Sequence, residues 1–284
     1  MEEVEMGNRI GVNRERSRRS RSDLGVSGLD PNVKLRLTDR DYQLMAFLYD
    51  QKFASLLVIY YRFFDQRKSG ADPLPKNLWV TRQRLAILRQ AGLISSQRIF
   101  TDARAVYLLT GLGFQVLRDQ RGMELPISPA IEVEFRTFEH DKRVTMCRVV
   151  LEKQGKCLAW YPDRHLRATR GYPGAVRAFK EVPLQVIPDG IFISSKNERV
   201  ALEIEHTPKD RKRYQEKLDV YRRLFMGIHS QDLDHRPVVE RVHFVASSDR
   251  IGKDLNEFFY DPNRFRVHTY EELVGFLGKE ALGI

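Results

Sequence analysis

The chain has 284 residues, 42% apolar and 10% aromatic, with two Cys and with 48 Lys and Arg against 38 Asp and Glu, a net charge of +10. That length suits two ordinary domains or one large one, and the composition excludes wholesale disorder; Cys147 and Cys157 alone exclude a disulfide scaffold and fit a reducing, cytoplasmic protein. The positive balance points to a polyanion partner before any motif is read.

Residues 1–35 open with Glu2, Glu3 and Glu5 rather than a signal peptide, and then carry Arg9, Arg14, Arg16, Arg18, Arg19 and Arg21 against Glu15. Almost nothing apolar lies between them, so this segment is expected to be a disordered basic arm, lying on phosphates or simply solvated. Residues 36–122 hold fourteen Lys and Arg against seven Asp and Glu. Thr38 ahead of Asp39 and Asp41, with Tyr42, Met45, Ala46 and Tyr49 at helical spacing, predicts a capped first helix. Leu56, Ile59, Tyr60 and Phe63 predict a second over residues 55–64. The apolar run there, residues 53–61, is far shorter than the ~20 residues that span a bilayer, so no membrane partner is expected.

After a loop through Pro73 and Pro75, residues 78–90 read as a third helix, with Leu78, Leu85, Leu88 and either Val80 or Ala86 inward and Arg82, Arg84 and Arg89 in solvent. Gly92 ends it, two strands at residues 93–100 and 105–109 flank a turn, and Thr110 opens a last helix through Leu117. Helix, helix, basic helix and hairpin is the order of a winged helix-turn-helix, whose third helix enters the major groove while the hairpin touches the backbone. On that reading residues 36–122 bind double-stranded DNA, with Arg82, Gln83 and Arg84 reaching base edges or phosphates, and with Arg89, Arg98 and Arg104 completing the set. Surface arginines that merely solvate a short helix are the alternative.

In residues 123–284, a helix is expected at 139–152 and a strand at 157–161, while 163–180 has no predicted shape. A strand at 184–193 is interrupted by Pro188, which implies an edge, a bulge or a bend. Residues 200–205 alternate with period two, placing Val200, Leu202 and Ile204 on one face and Ala201, Glu203 and Glu205 on the other. With Asp189 at the neighbouring bend three carboxylates converge, and Mg²⁺ or Mn²⁺ is the expected neutraliser. Glu139, whose oxygen suits a hard cation better than the His140 ring does, joins Asp189 and Glu203 in the expected metal set. Thr207-Pro208-Lys209-Asp210 predicts a helix start, with Tyr214, Leu218, Tyr221 and Phe225 as its buried stripe. A strand at 242–246, a helix at 249–259, a strand at 266–270 and a helix at 271–277 follow. Zinc-ligand spacings, Gly-rich phosphate loops and G-x-S-x-G do not occur, so a zinc site, an ATPase and a serine hydrolase have no support.

Helix, strand, Pro-Asp strand, Glu-x-Glu strand, helix and strand resembles the PD-(D/E)xK nuclease core, with Pro188-Asp189 and Glu203-Ile204-Glu205 at the motif positions. Most of the chain beyond the arm is similar to the replication-relaxation family of plasmids and other mobile elements. The matching features are residues 37–117, the His140-initiated helix, Pro188-Asp189-Gly190, Leu202-Glu203-Ile204-Glu205 and Lys217-Leu218-Asp219-Val220-Tyr221. The resemblance implies an α/β fold (α+β overall), with an N-terminal winged helix-turn-helix followed by a PD-(D/E)xK nuclease-like mixed-sheet domain. It also implies a role on DNA in the replication, relaxation or mobility of such an element, without fixing a reaction. The nuclease motif ends in Lys where this chain has Glu205; Lys217 on the following helix is the replacement, ahead of Lys209 and Lys212. Asp189, Glu203, Glu205 and Lys217 are then the expected catalytic set of a Mg²⁺-dependent or Mn²⁺-dependent endonuclease. The alternative is a non-catalytic transcription or replication regulator whose nuclease-like domain serves homodimerisation or DNA binding, and the sequence does not separate the two.

Overall fold

The computed structural model describes residues 35–66, 78–99, 105–123, 125, 127–168, 187–226 and 237–278. The basic arm, the loop at 67–77, the hairpin turn with Arg104, and the first part of the strand expected at 184–193 lie outside the described residues.

Helix α1 (Asp39–Gln51) starts as its sequence dictates: the Thr38 hydroxyl accepts from the Asp41 backbone N–H, and the Asp41 carboxylate accepts from the Thr38 N–H at 2.7 Å. This reciprocal pair is a capping box. The second helix runs where it is expected, its latter part π-helical, with a short strand ahead of it. Lys52, at φ +69°, turns the chain into strand β1 (Phe53–Ser55), and Ser55 then caps the short helix α2 (Leu56–Ile59), which continues as a π-helical turn over Tyr60–Phe64. Helix α3 (Trp79–Gln90) buries Leu78, Thr81, Leu85 and Leu88, a stripe at spacings of three and four; Thr81, rather than Val80 or Ala86, faces the core. Gly92, at φ +71°, closes α3 with Leu93 N–H donating to the Leu88 carbonyl at 3.0 Å, a Schellman end that a Cβ would strain. Strands β2 (Ile94–Gln97) and β3 (Val106–Leu109) form the hairpin, and β1 adds to it antiparallel in the order β1-β3-β2. Helix α4 (Gly111–Arg121), capped by Thr110, extends beyond the expected Leu117.

Arg84 does not stand free on α3. Its guanidinium grips the nearly fully buried Asp41 with both arms, Nε donating to Oδ1 at 2.7 Å, and also donates to the Arg36 carbonyl at 3.0 Å. Arg84 is therefore a clamp between α1 and α3 rather than the solvent-facing arginine expected there. Burial would raise the Asp41 pKa, but hydrogen bonds from Arg84 and Thr38 prevail and hold it below the ordinary carboxylate value. A depressed folded pKa means that this stabilisation is present above the unfolded value of about 3.9 and is lost as pH falls through the folded one. Arg84→Ala is expected to cost about 2–4 kcal/mol in urea unfolding at pH 7, because it strands a buried carboxylate, and to lose less at pH 3. Equal losses at the two pH values would argue against this account.

The second half is built on helix α5 (Phe138–Lys153) and a five-stranded sheet in the order β4-β5-β6-β7-β8. The strands are β4 (Cys157–Pro162), β5 (Gly190–Ser194), β6 (Arg199–Glu205), β7 (Arg241–Ala246) and β8 (Phe265–Thr269). The pairs β4/β5 and β5/β6 are antiparallel, and β6/β7 and β7/β8 are parallel, joined by helices α7 (Arg211–Met226) and α8 (Asp249–Phe258). Helix α6 (Asp163–Ala168) follows β4, and helix α9 (Tyr270–Val274) follows β8. The result is a mixed α/β fold. Helices α7 and α8 pack on one face of the sheet, while α5 and α9 cover the other.

One core runs from α1 through α5 to Val200, Leu202 and Ile204 of β6, so α5 is a wall shared by both halves. This explains its unbroken buried run from Val144 to Leu151, with Arg148 paired to Asp50 at 3.0 Å and Glu152 at 2.9 Å. Pro188 marks neither an edge nor a bulge: β5 lies inside the sheet, Pro188 precedes it, and the irregularity falls at Cys157/Ala159 of β4. No helix among the described residues is long and apolar enough to cross a membrane.

Candidate functional site

The site begins with two adjacent antiparallel strands. Gly190 pairs with Leu202, which puts Asp189 at the mouth of β5 beside the acidic end of β6. The Asp189 N–H donates to the Leu202 carbonyl at 3.0 Å, and its Oδ2 accepts from the Ile204 N–H at 2.7 Å. Asp189 thus binds the backbone on both sides of Glu203. Gly190 is required because the Trp160 ring lies 2.4 Å from where a Cβ would stand.

The period-two alternation of β6 holds: Val200, Leu202 and Ile204 join the core on the α5 side, while Ala201 joins the core beneath α7. Glu203 and Glu205 therefore face α7, where Lys217 and Tyr221 are four residues apart on one side of the helix. Lys217 Nζ donates to Glu203 Oε2 at 3.0 Å and to Glu205 Oε1 at 2.7 Å, and the buried Tyr221 hydroxyl donates to Glu203 Oε1. Lys209 Nζ lies 2.6 Å from Glu205 Oε2, and on the other flank His140 Nε2 is 2.9 Å from Asp189 Oδ1.

Burial would raise the Asp189 pKa, yet the His140 and Ile204 contacts bring it below its ordinary value. Burial would lower that of His140, but Asp189 outweighs it and raises it. Glu203 is raised, first by burial and then by the Asp189 charge, with Lys217 opposing. For Lys217 burial favours the neutral amine, but Glu203 and Glu205 drive the pKa well above normal, so the ammonium persists at neutral pH. Burial and the neighbouring Glu203 raise the Tyr221 phenol.

Asp189, Glu203, Glu205 and Lys217 are thus brought together. Glu139 is not with them: it is exposed and pairs with Lys142 at 3.3 Å, because the first turn of α5 directs His140 rather than Glu139 at Asp189. Lys209, ranked behind Lys217, contacts Glu205 directly, and Lys212 is exposed. Helix α7 starts at Arg211, with Asp210 accepting from the Arg213 N–H at 2.8 Å; Thr207 does not cap it. By sequence Tyr221 reads only as a core residue, although its spacing from Lys217 is the clue to its second role.

Among the described residues no three His, Cys, Asp or Glu side chains form a group able to hold a metal ion. Mg²⁺ needs less: one or two carboxylates, with water and substrate phosphate completing the shell. Asp189 and Glu203 supply oxygen donors of that kind, each now held by protein partners, and Glu205 is clamped between Lys209 and Lys217.

On α3, Arg82, Gln83 and Arg89 are exposed, and Arg89 also donates to the Ser96 hydroxyl of β2 at 3.2 Å. Burial raises the pKa of the Tyr107 phenol of β3, and the charges of Arg89 and Arg82 oppose it. Arg98 is exposed just after β2. No Asp or Glu occurs in α3.

The family described as replication-relaxation matches residues 45–239, from within α1 to the segment before β7. No curated protein and no solved structure is significantly similar to the chain.

Proposed function

The chain belongs to the replication-relaxation family, and from that premise we propose that it binds double-stranded DNA during replication or relaxation of a plasmid or other mobile element and cuts a strand at Asp189, Glu203 and Lys217. The order α1, β1, α2, α3, β2, β3, with β1 completing the hairpin sheet, supports a winged helix-turn-helix at residues 36–122. The order α5, β4, α6, β5, β6, α7, β7, with three antiparallel strands and then a parallel one, supports a PD-(D/E)xK nuclease-like domain with α6 inserted after its first strand. The observation that carries hydrolysis is the Lys217 ammonium, 3.0 Å from Glu203, standing in for the lysine that Glu205 replaces.

A divalent ion bound by Asp189 and Glu203 would supply Lewis-acid polarisation of the scissile phosphate and an activated water. Lys217, held charged, is no base; it offers a fixed positive charge where negative charge develops on phosphate. His140 orients Asp189, Tyr221 orients Glu203, and Lys209 compensates Glu205.

A second reading, the non-catalytic regulator, is favoured by one observation. Both oxygens of Asp189, Glu203 and Glu205 already have protein partners. Incubating supercoiled plasmid with the protein and Mg²⁺ or Mn²⁺ separates the two: nicked or linear product supports the nuclease, and bound but intact DNA supports the regulator.

For binding itself, Arg82→Ala and Arg89→Ala are expected to weaken affinity and to flatten its salt dependence by about 0.9 in log-log slope for each phosphate left without its arginine. Arg222→Ala and Arg223→Ala, on α7, are expected to change little. Equal effects from the two pairs in anisotropy titrations would move the DNA surface off α3.

A further inference from the structure

The geometry points to α3 as a reader of thymine methyl groups in the major groove, with Val80 and Trp79 as the contacting side chains; this rests on the DNA-binding reading above. Both lie at the start of α3 and are strongly exposed, Trp79 at 57% and Val80 at 60%, with Ile87 at 38% further along. They are surplus to the core, which α3 reaches through Leu78, Thr81, Leu85 and Leu88. Val80, Gln83 and Ile87 form one stripe at spacings of three and four, and Trp79, Arg82 and Ala86 form the next, so apolar and polar groups alternate on the same exposed face.

Among the described residues the charge on that face is of one sign. Arg82 and Arg89 are exposed, α3 contains no Asp or Glu, and Arg98 extends the basic surface past β2. Two copies of this face packed together would set arginine against arginine with no α3 carboxylate between them, whereas a polyanion suits the charge. Within a DNA duplex the apolar feature presented to a major-groove helix is the C5 methyl of thymine. Gln83, one turn after Val80, suits the N6 and N7 edge of the adenine opposite a thymine. The two residue types converge on A·T pairs.

The test replaces thymine by uracil, which removes the methyl and leaves every hydrogen-bonding group in place. The tightest duplex selected from a random-sequence pool is compared with its uracil-substituted form by fluorescence anisotropy. Wild type is expected to lose about fourfold in affinity per contacted methyl. Val80→Ala and Trp79→Ala, both at exposed positions, are expected to lose that discrimination while keeping the salt slope. Equal affinity of wild type for the thymine and uracil duplexes overturns this proposal alone. So does a change in sedimentation of the two variants with an unchanged thymine-to-uracil ratio, which would make the face a protein interface. Absence of binding to any duplex overturns the DNA reading together with it.

Discussion

Lys217→Met is expected to destabilise the protein by about 3–5 kcal/mol at pH 7, the usual cost of removing one partner from a buried ion pair. The Lys217 side chain is 13% exposed and faces two carboxylates that are more buried still, at 7% for Glu203 and 2% for Glu205. Lys209 would still compensate Glu205, but Glu203 would keep only the Tyr221 hydroxyl against the Asp189 charge. Its pKa, already raised by burial, would rise further. A carboxyl with a raised folded pKa holds its proton in the native state and releases it on unfolding, so the deficit of the variant should shrink as pH falls from 7 towards 5. Urea unfolding at both values checks the magnitude and the sign. The double variant Lys217→Met with Glu203→Gln should recover much of the loss, because replacing both charges removes the uncompensated one. A cost below about 1 kcal/mol, within the range of exposed pairs, would mean that this cluster does not hold the domain together.

Asp189→Asn and Glu203→Gln are each expected to reduce Mg²⁺-dependent plasmid nicking on the order of 10³-fold, the scale at which losing one electrostatic group in a catalytic site is felt. Affinity for DNA should hardly change, since α3 and the hairpin lie on the other half of the chain. Ca²⁺ should sustain binding without cutting, because its looser coordination positions water poorly. The isosteric amides keep the volume of the buried site, and thermal unfolding verifies that each variant is folded. Unchanged nicking by both variants would assign the cutting to a contaminant, unchanged nicking by one would remove that carboxylate from the site, and the complete absence of nicking by wild type with Mg²⁺ and Mn²⁺ would leave the regulator reading.

The local signals in this chain are legible because the atoms that enforce them lie within a turn or two of one another. Thr38 and Asp41 cap each other, Gly92 ends α3, Thr110 starts α4, and strict alternation puts Glu203 and Glu205 on one face of β6. None of these needs a distant partner. Thr81 in the core where hydrophobicity points to Val80 is a small departure of the same local kind, since a one-residue change rotates a helical position by about 100°.

What only the tertiary structure decided depends on groups far apart in the sequence. Phe53 and Ala54 have no predicted element, and with Ser55 they become a strand because β3 offers them a backbone ladder. Helix α5 reads from Val144, Cys147, Arg148 and Leu151 at spacings of three and four, but its burial extends right round the helix from Val144 to Leu151 because both halves cover it, which periodicity does not show. Arg84 has the helical position of a DNA-facing residue, yet Asp41, 43 residues away, takes it inward. His140 meets Asp189 across 49 residues, and Tyr221 meets Glu203 across 18. Sequence determined that two carboxylates share a strand face and that a lysine and a tyrosine share a helix face. Packing decided that the two faces meet, because the desolvation of Glu203 and Glu205 is tolerable only where an ammonium and a phenol close over them.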